Sequence, residues 1–448
     1  MKAVFAASEN KILPVHRWVP WIAGFSAQFV EDCIETYLPK WNRSARLVLD
    51  PFAGVATTMV EALKVGCDTI GYEINPFAAL AARAKVNCVD VCTEHFKTEI
   101  EAFRSALRLF ENEVDRRWRE DGDEGIAQIL EELHTLTPKH FRSRIPFFSP
   151  PVKAKFLYAL GSTESLAEPD RTLFRVALGA TMISFSNYTY EPSLSSRPGA
   201  GKPLIENASV ASSVCRILGE MLEDTKLIQA YYGESWRERR REVIDSSYFG
   251  SSLPPGSVSL VITSPPYMNN YHYVRNTRPQ LYWLGLTDGH QTLRDYEEKS
   301  FGKFWQTVRQ ERPPIDLDFE FPDLATKLER LRNLNVDRGP YGGPGWANYV
   351  ATYFNDCNRF LAPLQRQLKS GAYAIVVVGN SIIQGIEFKV DHLLAEIANR
   401  HHLRVEDIRI IRTKRVGTSI IDSSVRNGGV KSNDPKPHLY DAAVVLRR

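Results

Sequence analysis

Apolar positions along the chain fall into two periods, short continuous runs that read as buried strands and i, i+3, i+4 patterns that read as helices. Phe29, Val30, Cys33, Ile34 and Tyr37 have helical spacing inside Ser26 to Leu38, with Ser26 as N-cap and Pro39 as stop. Arg46 to Asp50 predicts a strand, residues 51–57 a turn around Gly54, and Thr58 to Val65 a helix. A second strand, Asp68 to Glu73, follows, and Asn75-Pro76 opens a helix over Phe77 to Lys85. Strands resume at Val243 to Asp245, Val258 to Ile262 and Tyr373 to Val378, with helices over Tyr349 to Leu368 and Val390 to Ala398. Two last strands, Val405 to Thr413 and Tyr440 to Leu446, flank a basic loop holding Lys414, Arg415, Arg426, Lys431, Lys436 and His438. Alternating strands and helices predict an α/β fold with a mostly parallel sheet and an antiparallel edge.

Two stretches interrupt this alternation. Between about 90 and 240 the pattern is helical: Thr93 to Glu120, Asp123 to Leu136, Pro150 to Leu160 and Thr172 to Ser186. That is too long for a loop and predicts an inserted helical subdomain. It carries a Gly/Pro-rich loop, Asn187 to Lys202, whose polar, aromatic and basic groups suit phosphate and base contacts as well as they suit a plain surface loop. Arg237, Arg239, Arg240 and Arg241 read as a solvated helix face. A charged second insertion, 288–345, ends in the glycine-rich Gly339 to Gly345 and is expected to be mobile, as a lid or clamp. The chain has no internal repeat.

Composition narrows the picture only slightly. With 448 residues, 43% hydrophobic and 24% charged, the chain can bury a sizeable core, and a net charge of +3 is too weak to argue for nucleic acid by itself. Six cysteines form no CxxC pair and no Cys/His set at zinc spacing, so no metal is expected. No apolar stretch reaches membrane-spanning length, and a reducing, cytoplasmic setting is expected.

Candidate chemistry sits at strand ends. Gly54 would let a ligand approach the backbone, and Glu73 stands about 20 residues beyond the turn, where an acid accepts from ribose hydroxyls. In a generic βαβ unit Asp50 and Glu73 would merely end strands. Thr263-Ser264-Pro265-Pro266-Tyr267 follows the strand at 258–262; the prolines force the backbone out of the sheet and present Ser264 and a carbonyl as acceptors, with Tyr267 as a stacking face. A Pro-rich loop at a strand end is the plain alternative.

Together, Asp50 to Gly54 (DPFAG), Gly71 to Pro76 (GYEINP) and Thr263 to Tyr267 (TSPPY) resemble the amino-group DNA methyltransferases, which modify cytosine N4 or adenine N6 with S-adenosylmethionine. The resemblance spans about 16–86 and 243–448. It implies a Rossmann-like methyltransferase sheet at 1–90 and 243–448, with 91–242 as a helical insertion that could touch DNA and 288–345 as a flexible one. It implies Ser264, Pro265, Pro266 and Tyr267 as catalytic. His16, Trp18, Phe25 and Ser26 would enclose the methionine part of the cofactor, and Asp50, Phe52, Ala53, Gly54 and Thr57 form its loop. Glu73 with Ile74 would hold the ribose, and Asp245 with Ser246 the adenine amine. Tyr190, Arg197, Lys202, Tyr273, Arg275 and Arg278 are candidate DNA contacts. The chain departs from the family's usual loop in having Ala56 where a second glycine is common, and the insertion fits none of the usual motif orders.

The resemblance further implies double-stranded DNA as substrate, with the target base flipped out, and a restriction-modification setting in which a cognate restriction endonuclease would be the partner. Ser264 as first residue of the motif favours cytosine N4 over adenine N6. Carbon-5 methylation is disfavoured, since no cysteine follows a proline or lies near Ser264. An RNA amino-methyltransferase and a catalytically silent DNA-binding protein are the competing readings.

Overall fold

The computed structural model describes residues 9–21, 24–38, 46–190, 193–268, 272–413 and 439–448. The basic loop at 414–438 and Asn269 to Tyr271 lie outside the described residues.

The N-terminal segment leads through a 3-10 turn, His16–Trp18, into α1 (Ala27–Tyr37), where Ser26 Oγ accepts from the Phe29 amide as the N-cap. The first unit follows as β1 (Leu47–Asp50), α2 (Thr57–Lys64), β2 (Asp68–Tyr72) and α3 (Pro76–Val86). The Asn75 side chain caps α3 by accepting from the amides of Phe77 and Ala78, and Pro76 occupies the first turn, where no amide is needed.

Then come α4 (Thr93–Glu132), interrupted by a non-helical Gly122, α5 (Pro150–Ser162), α6 (Asp170–Thr181), a hairpin of β3 (Tyr188–Tyr190) and β4 (Leu194–Ser196), and α7 (Val210–Arg237). The sheet resumes with β5 (Arg241–Ile244) and β6 (Val258–Thr263). Short helices α8 (Tyr273–Asn276), α9 (Arg278–Trp283), α10 (His290–Lys299), α11 (Trp305–Val308) and α12 (Pro322–Arg332) precede α13 (Gly343–Gln367). The chain ends with β7 (Leu368–Gly379), a small hairpin of β8 (Ser381–Ile383) and β9 (Ile386–Phe388), α14 (Val390–Arg400), β10 (Arg404–Thr413) and β11 (Tyr440–Arg447).

Seven strands form the main sheet in the order β10-β11-β7-β6-β1-β2-β5. The run from β7 to β5 is parallel, while β11 pairs antiparallel with both β7 and β10. This is the Rossmann-like α/β architecture expected, with a helical insertion. Successive residues of β1 face opposite sides: Leu47 and Leu49 pack on the side of α13 and α14, and Val48 packs with α1.

The structure adds detail to four expectations. The insertion shares its main core with α2 and α3, which also takes in Val15, Trp18 and Leu281, and keeps a small cluster of its own around Val114, Ile126, Ile129 and Ala154. Its longest unbroken helix, α7, is absent from the predicted elements, and the predicted loop 187–202 carries the β3-β4 hairpin. The segment 288–345 is tied down: Phe301, Trp305, Leu324, Leu328 and Leu331 are buried in the same core as α13, and Gly343 and Gly345 are buried in that helix's first turn. In the arginine cluster Arg237 and Arg240 are exposed, while Arg237 also donates to the Val89 carbonyl and Arg241 to Asp90 and Asn87.

Candidate active site

β1 and β6 lie side by side and parallel, and the chain leaves them in opposite directions, toward β2 and β5 on one side and β7 on the other. Ligands of open α/β sheets bind outside the carboxyl ends of strands at such a divergence. Here the two strand ends are joined by a side-chain bond, Thr263 Oγ1 to Asp50 Oδ1 at 2.7 Å, and Thr58 Oγ1 donates to the Ile262 carbonyl at 3.2 Å. Asp50 is buried and also accepts from the Phe52 amide at 3.1 Å. Burial pushes its carboxyl up to about 6 against the pull of Thr263, Thr58 and Phe52.

The turn after β1 passes through Gly54 at φ 52° and Ala56 at φ 68°. Both are left-handed conformations, which explains why a glycine suits the position of Ala56. A Cβ on Gly54 would come within 3.2 Å of the Trp21 indole nitrogen. The Gly54 amide donates to Glu73 Oε2 at 2.8 Å, and the Asn75 amide donates to Glu73 Oε1 at 2.7 Å. One carboxylate therefore ties the β1 turn to the start of α3. Burial raises it to about 7, the backbone amides opposing.

These residues border a cavity of about 650 Å³. Of the sequence-predicted residues, His16, Trp18, Phe25, Asp50, Phe52, Ala53, Gly54, Thr57, Glu73, Ile74, Ser246, Ser264 and Pro266 line it, and so does Tyr273. Among the described residues, no group of three His, Cys, Asp or Glu could hold a metal ion. The N-terminal segment is fixed by buried polar contacts. His16 Nε2 donates to Glu61 Oε1 at 2.6 Å, and Lys64 reaches the same oxygen at 2.7 Å. Burial holds the His16 imidazole below its usual value. The Glu61 carboxyl, which burial would raise, is drawn down overall by His16 and Lys64, so the pair is a neutral imidazole donating to a carboxylate. Asp224 of α7 accepts from the Val15 amide, the Arg17 guanidinium and Trp18 Nε1.

Ser264 Oγ donates to the Val377 carbonyl at 3.2 Å and also meets the Tyr267 hydroxyl, so its proton is committed and a lone pair remains as an acceptor.

Four predicted site residues stand away from the cavity wall. Ser26 is fully buried as the α1 cap. Asp245 is half-exposed and pairs with Arg83. Pro265 is buried. The Tyr267 ring is buried against β7, where only a glycine at 379 leaves room for it: a Cβ there would stand 2.9 Å from the ring.

The predicted DNA contacts also divide. Arg275 is exposed. Arg278 lies over the Phe141 and Tyr282 rings, the Tyr190 hydroxyl donates to the Asn276 carbonyl, and Arg197 Nε donates to the Pro203 carbonyl. Lys202 is half-buried, its amide donating to the Arg197 carbonyl. Tyr273 stacks on Trp21, their rings 6.3 Å apart and 21° from parallel.

Sequence reasoning missed Trp21, Asp224, Glu61 and the wall contributed by Thr181, Ser184, Ile217 and Glu220 of the insertion. The regular apolar spacing of Val210, Val214, Ile217, Leu218 and Met221 was a signal for α7; nothing marked Asp224 within it.

Residues 9–83, which hold the β1 turn and Glu73, match a family model described as DNA methylase. The chain resembles the amino-group DNA methyltransferases. The type II methyltransferase M.AvaI of Nostoc sp. is 23% identical over 443 residues, covering 93% of this chain and 85% of the relative. The type II methyltransferase M.BsoBI of Geobacillus stearothermophilus is 23% identical over 421 residues, covering 87% and 78%. The type II methyltransferase M.MjaII of Methanocaldococcus jannaschii is 30% identical over 120 residues, 27% of this chain and 22% of the relative. The likeness to M.AvaI and M.BsoBI therefore runs through the insertion as well as the sheet. No described helix is long and apolar enough to cross a membrane.

Proposed function

We propose that the protein is an S-adenosylmethionine-dependent DNA methyltransferase acting on an exocyclic amine, cytosine N4 in preference to adenine N6. The observation that carries this reading is the Thr263–Asp50 bond, which sets Ser264 beside the Asp50 to Gly54 turn on the wall of one cavity. The residues present fit the cofactor. Gly54 offers bare backbone, Glu73 keeps lone pairs free on both oxygens for ribose hydroxyls, and His16 Nδ1 is a buried nitrogen on the wall without a hydrogen-bond partner. Tyr248 is a buried aromatic at the wall beside Ser246 and Ser247, a flank for the adenine ring. When bound, S-adenosylmethionine supplies an electrophilic methyl group.

The amine of a DNA base is a poor nucleophile because its lone pair is delocalised into the ring. Ser264 Oγ, its proton already engaged by Val377, accepts from the amine N–H and favours a pyramidal nitrogen whose lone pair can attack in line. No cysteine adduct is required. Because Tyr267 is packed against Gly379, Tyr273 is the aromatic face offered to a flipped base in the cavity. The type II names of the relatives support a restriction-modification setting, and a cognate endonuclease and a cytoplasmic location belong to the same proposal. In this proposal residues 1–90 and 243–448 carry the reaction, and 91–242, which lends Thr181, Ser184, Ile217 and Glu220 to the cavity wall, also contributes to the DNA face.

The test is incubation with methyl-labelled cofactor and mixed-sequence duplex DNA, then nucleoside mass spectrometry. N4-methylcytosine that disappears in Ser264→Ala is the expected result. N6-methyladenine would transfer the reading to the other base, label in RNA alone would favour the RNA alternative, and no label in either would refute it.

A further inference from the structure

Lys85 lies near the end of α3 among Ala78, Ala81, Ala82, Ala84 and Val86, all buried. Its own side chain is fully buried, yet it forms part of the cavity wall. The ammonium makes one long hydrogen bond, 3.4 Å to the His16 carbonyl. The acid of this region, Glu61, is taken by His16 and Lys64. Burial lowers Lys85 to about 7, and no neighbouring charge opposes it.

An unpaired ammonium withdrawn from water costs several kcal/mol. The His16 imidazole is neutral, Glu61 is offset by Lys64 and faces Glu31, whose own carboxyl burial raises to about 7, and the Lys85 ammonium has no carboxylate of its own at the wall. Alone, the group gives up its proton near neutral pH; an anionic group on whatever occupies the cavity would hold it as the ammonium. The occupant argued above carries one anionic group, the α-carboxylate of its amino-acid end, and His16, beside Lys85, belongs to the segment expected to enclose that end.

We propose that Lys85 receives the α-carboxylate of the cofactor's amino-acid end, an assignment that rests on the methyltransferase reading of the cavity. One further observation favours it over a structural role: the ammonium has two donor protons for which the described residues supply no acceptor.

The experiment measures, by calorimetry, the binding of two nucleosides to the full chain, Lys85→Met and Lys85→Gln. S-adenosylhomocysteine carries the amino-acid end; 5′-methylthioadenosine shares the adenine, ribose and sulfur but lacks it. The native chain is expected to bind both, the first more tightly. Each variant is expected to lose at least about tenfold in affinity for S-adenosylhomocysteine and to keep methylthioadenosine affinity within about twofold. Thermal unfolding of the unliganded variants reports on folding, and Lys85→Met is expected to melt no lower than the native chain. Equal losses for both nucleosides, or an unchanged ratio between them, would overturn the assignment. If the unmutated chain binds neither, the cofactor reading fails and this assignment falls with it, a result distinguishable because it appears without any substitution.

Discussion

Glu73→Gln separates the electrostatic role of this residue from its structural one. In the native chain both oxygens already accept backbone amides, from Gly54 at 2.8 Å and Asn75 at 2.7 Å, and the carboxyl is raised from 4.5 to about 7 by burial. Between pH 4.5 and 7 the folded chain keeps a proton that the unfolded chain has lost. Stability from this group is therefore greatest below 4.5 and falls as pH rises, by up to about 3 kcal/mol over 2.5 units. Glutamine abolishes that fall but turns its amide NH2 toward a backbone N–H, orphaning that N–H at about 1–3 kcal/mol. At pH 8 the two effects nearly cancel, and the variant is expected to melt within a few degrees of the native chain. Binding behaves differently. Ribose hydroxyls donate to the ionised carboxylate, so affinity rises with pH, about tenfold per unit below 7, and levels off above it. In the variant it should be flat, and at pH 8 weaker by about 10 to 150-fold, the equivalent of 1.5–3 kcal/mol for hydrogen bonds to a charged acceptor. Titration with 5′-methylthioadenosine is the assay, because it has no carboxylate and so does not report on Lys85, which titrates in the same range with opposite sign. Asp50, at about 6, titrates lower. A variant that keeps both the native affinity and the native slope would refute the role assigned to Glu73.

Other substitutions test the rest of the site. Gly54→Ala forces a side chain into φ 52° and against Trp21, a cost of about 1–3 kcal/mol visible as a lower melting temperature and weaker nucleoside binding. Ser264→Ala removes one 3.2 Å bond to Val377, so stability should fall by only about 1 kcal/mol while methyl transfer is lost, measured by label in DNA with nucleoside affinity as control. Asp224→Ala strips the Val15 amide, Arg17 and Trp18 of their common acceptor and should destabilise by about 3–5 kcal/mol in denaturant unfolding. Tyr273→Ala should weaken DNA binding by about 1–3 kcal/mol with nucleoside affinity unchanged, read by DNA titration.

The strand ends were legible because they carry two local signals at once, an apolar run and a residue that cannot continue it. Asp50 and Thr263 end β1 and β6 where the runs predict, and the antiparallel pair at the edge follows from two long terminal strands. What the pattern could not reveal depends on contacts distant in sequence. Asp224 looks like any acid on an amphipathic helix until α7 is packed against Val15 to Trp18, more than 200 residues earlier, and nothing local announces the pairing of Asp245 with Arg83. Glycine richness at 339–345 is a related case: Gly342, Gly343 and Gly345 allow close backbone packing at the start of α13 while Gly339 faces open space, a difference that composition alone does not reveal.

The insertion illustrates why the cavity cannot be divided into a sheet part and an appended part. Asp224 holds Val15, Arg17 and Trp18, and those residues carry His16, whose ring is locked to Glu61 of α2. A displacement of α7 would therefore move the N-terminal wall of the cavity while leaving Asp50, Gly54 and Glu73 in place, since these are held by Thr263 and by each other. On that basis changes in α7 should alter binding of the amino-acid end of a ligand more than binding of its ribose. The two nucleosides proposed for Lys85 read those ends separately. A milder change than Asp224→Ala, Asp224→Asn, which keeps one oxygen as acceptor, should lower affinity for S-adenosylhomocysteine and spare methylthioadenosine; a loss shared equally by both would mean that the wall and the β1 turn move as one body.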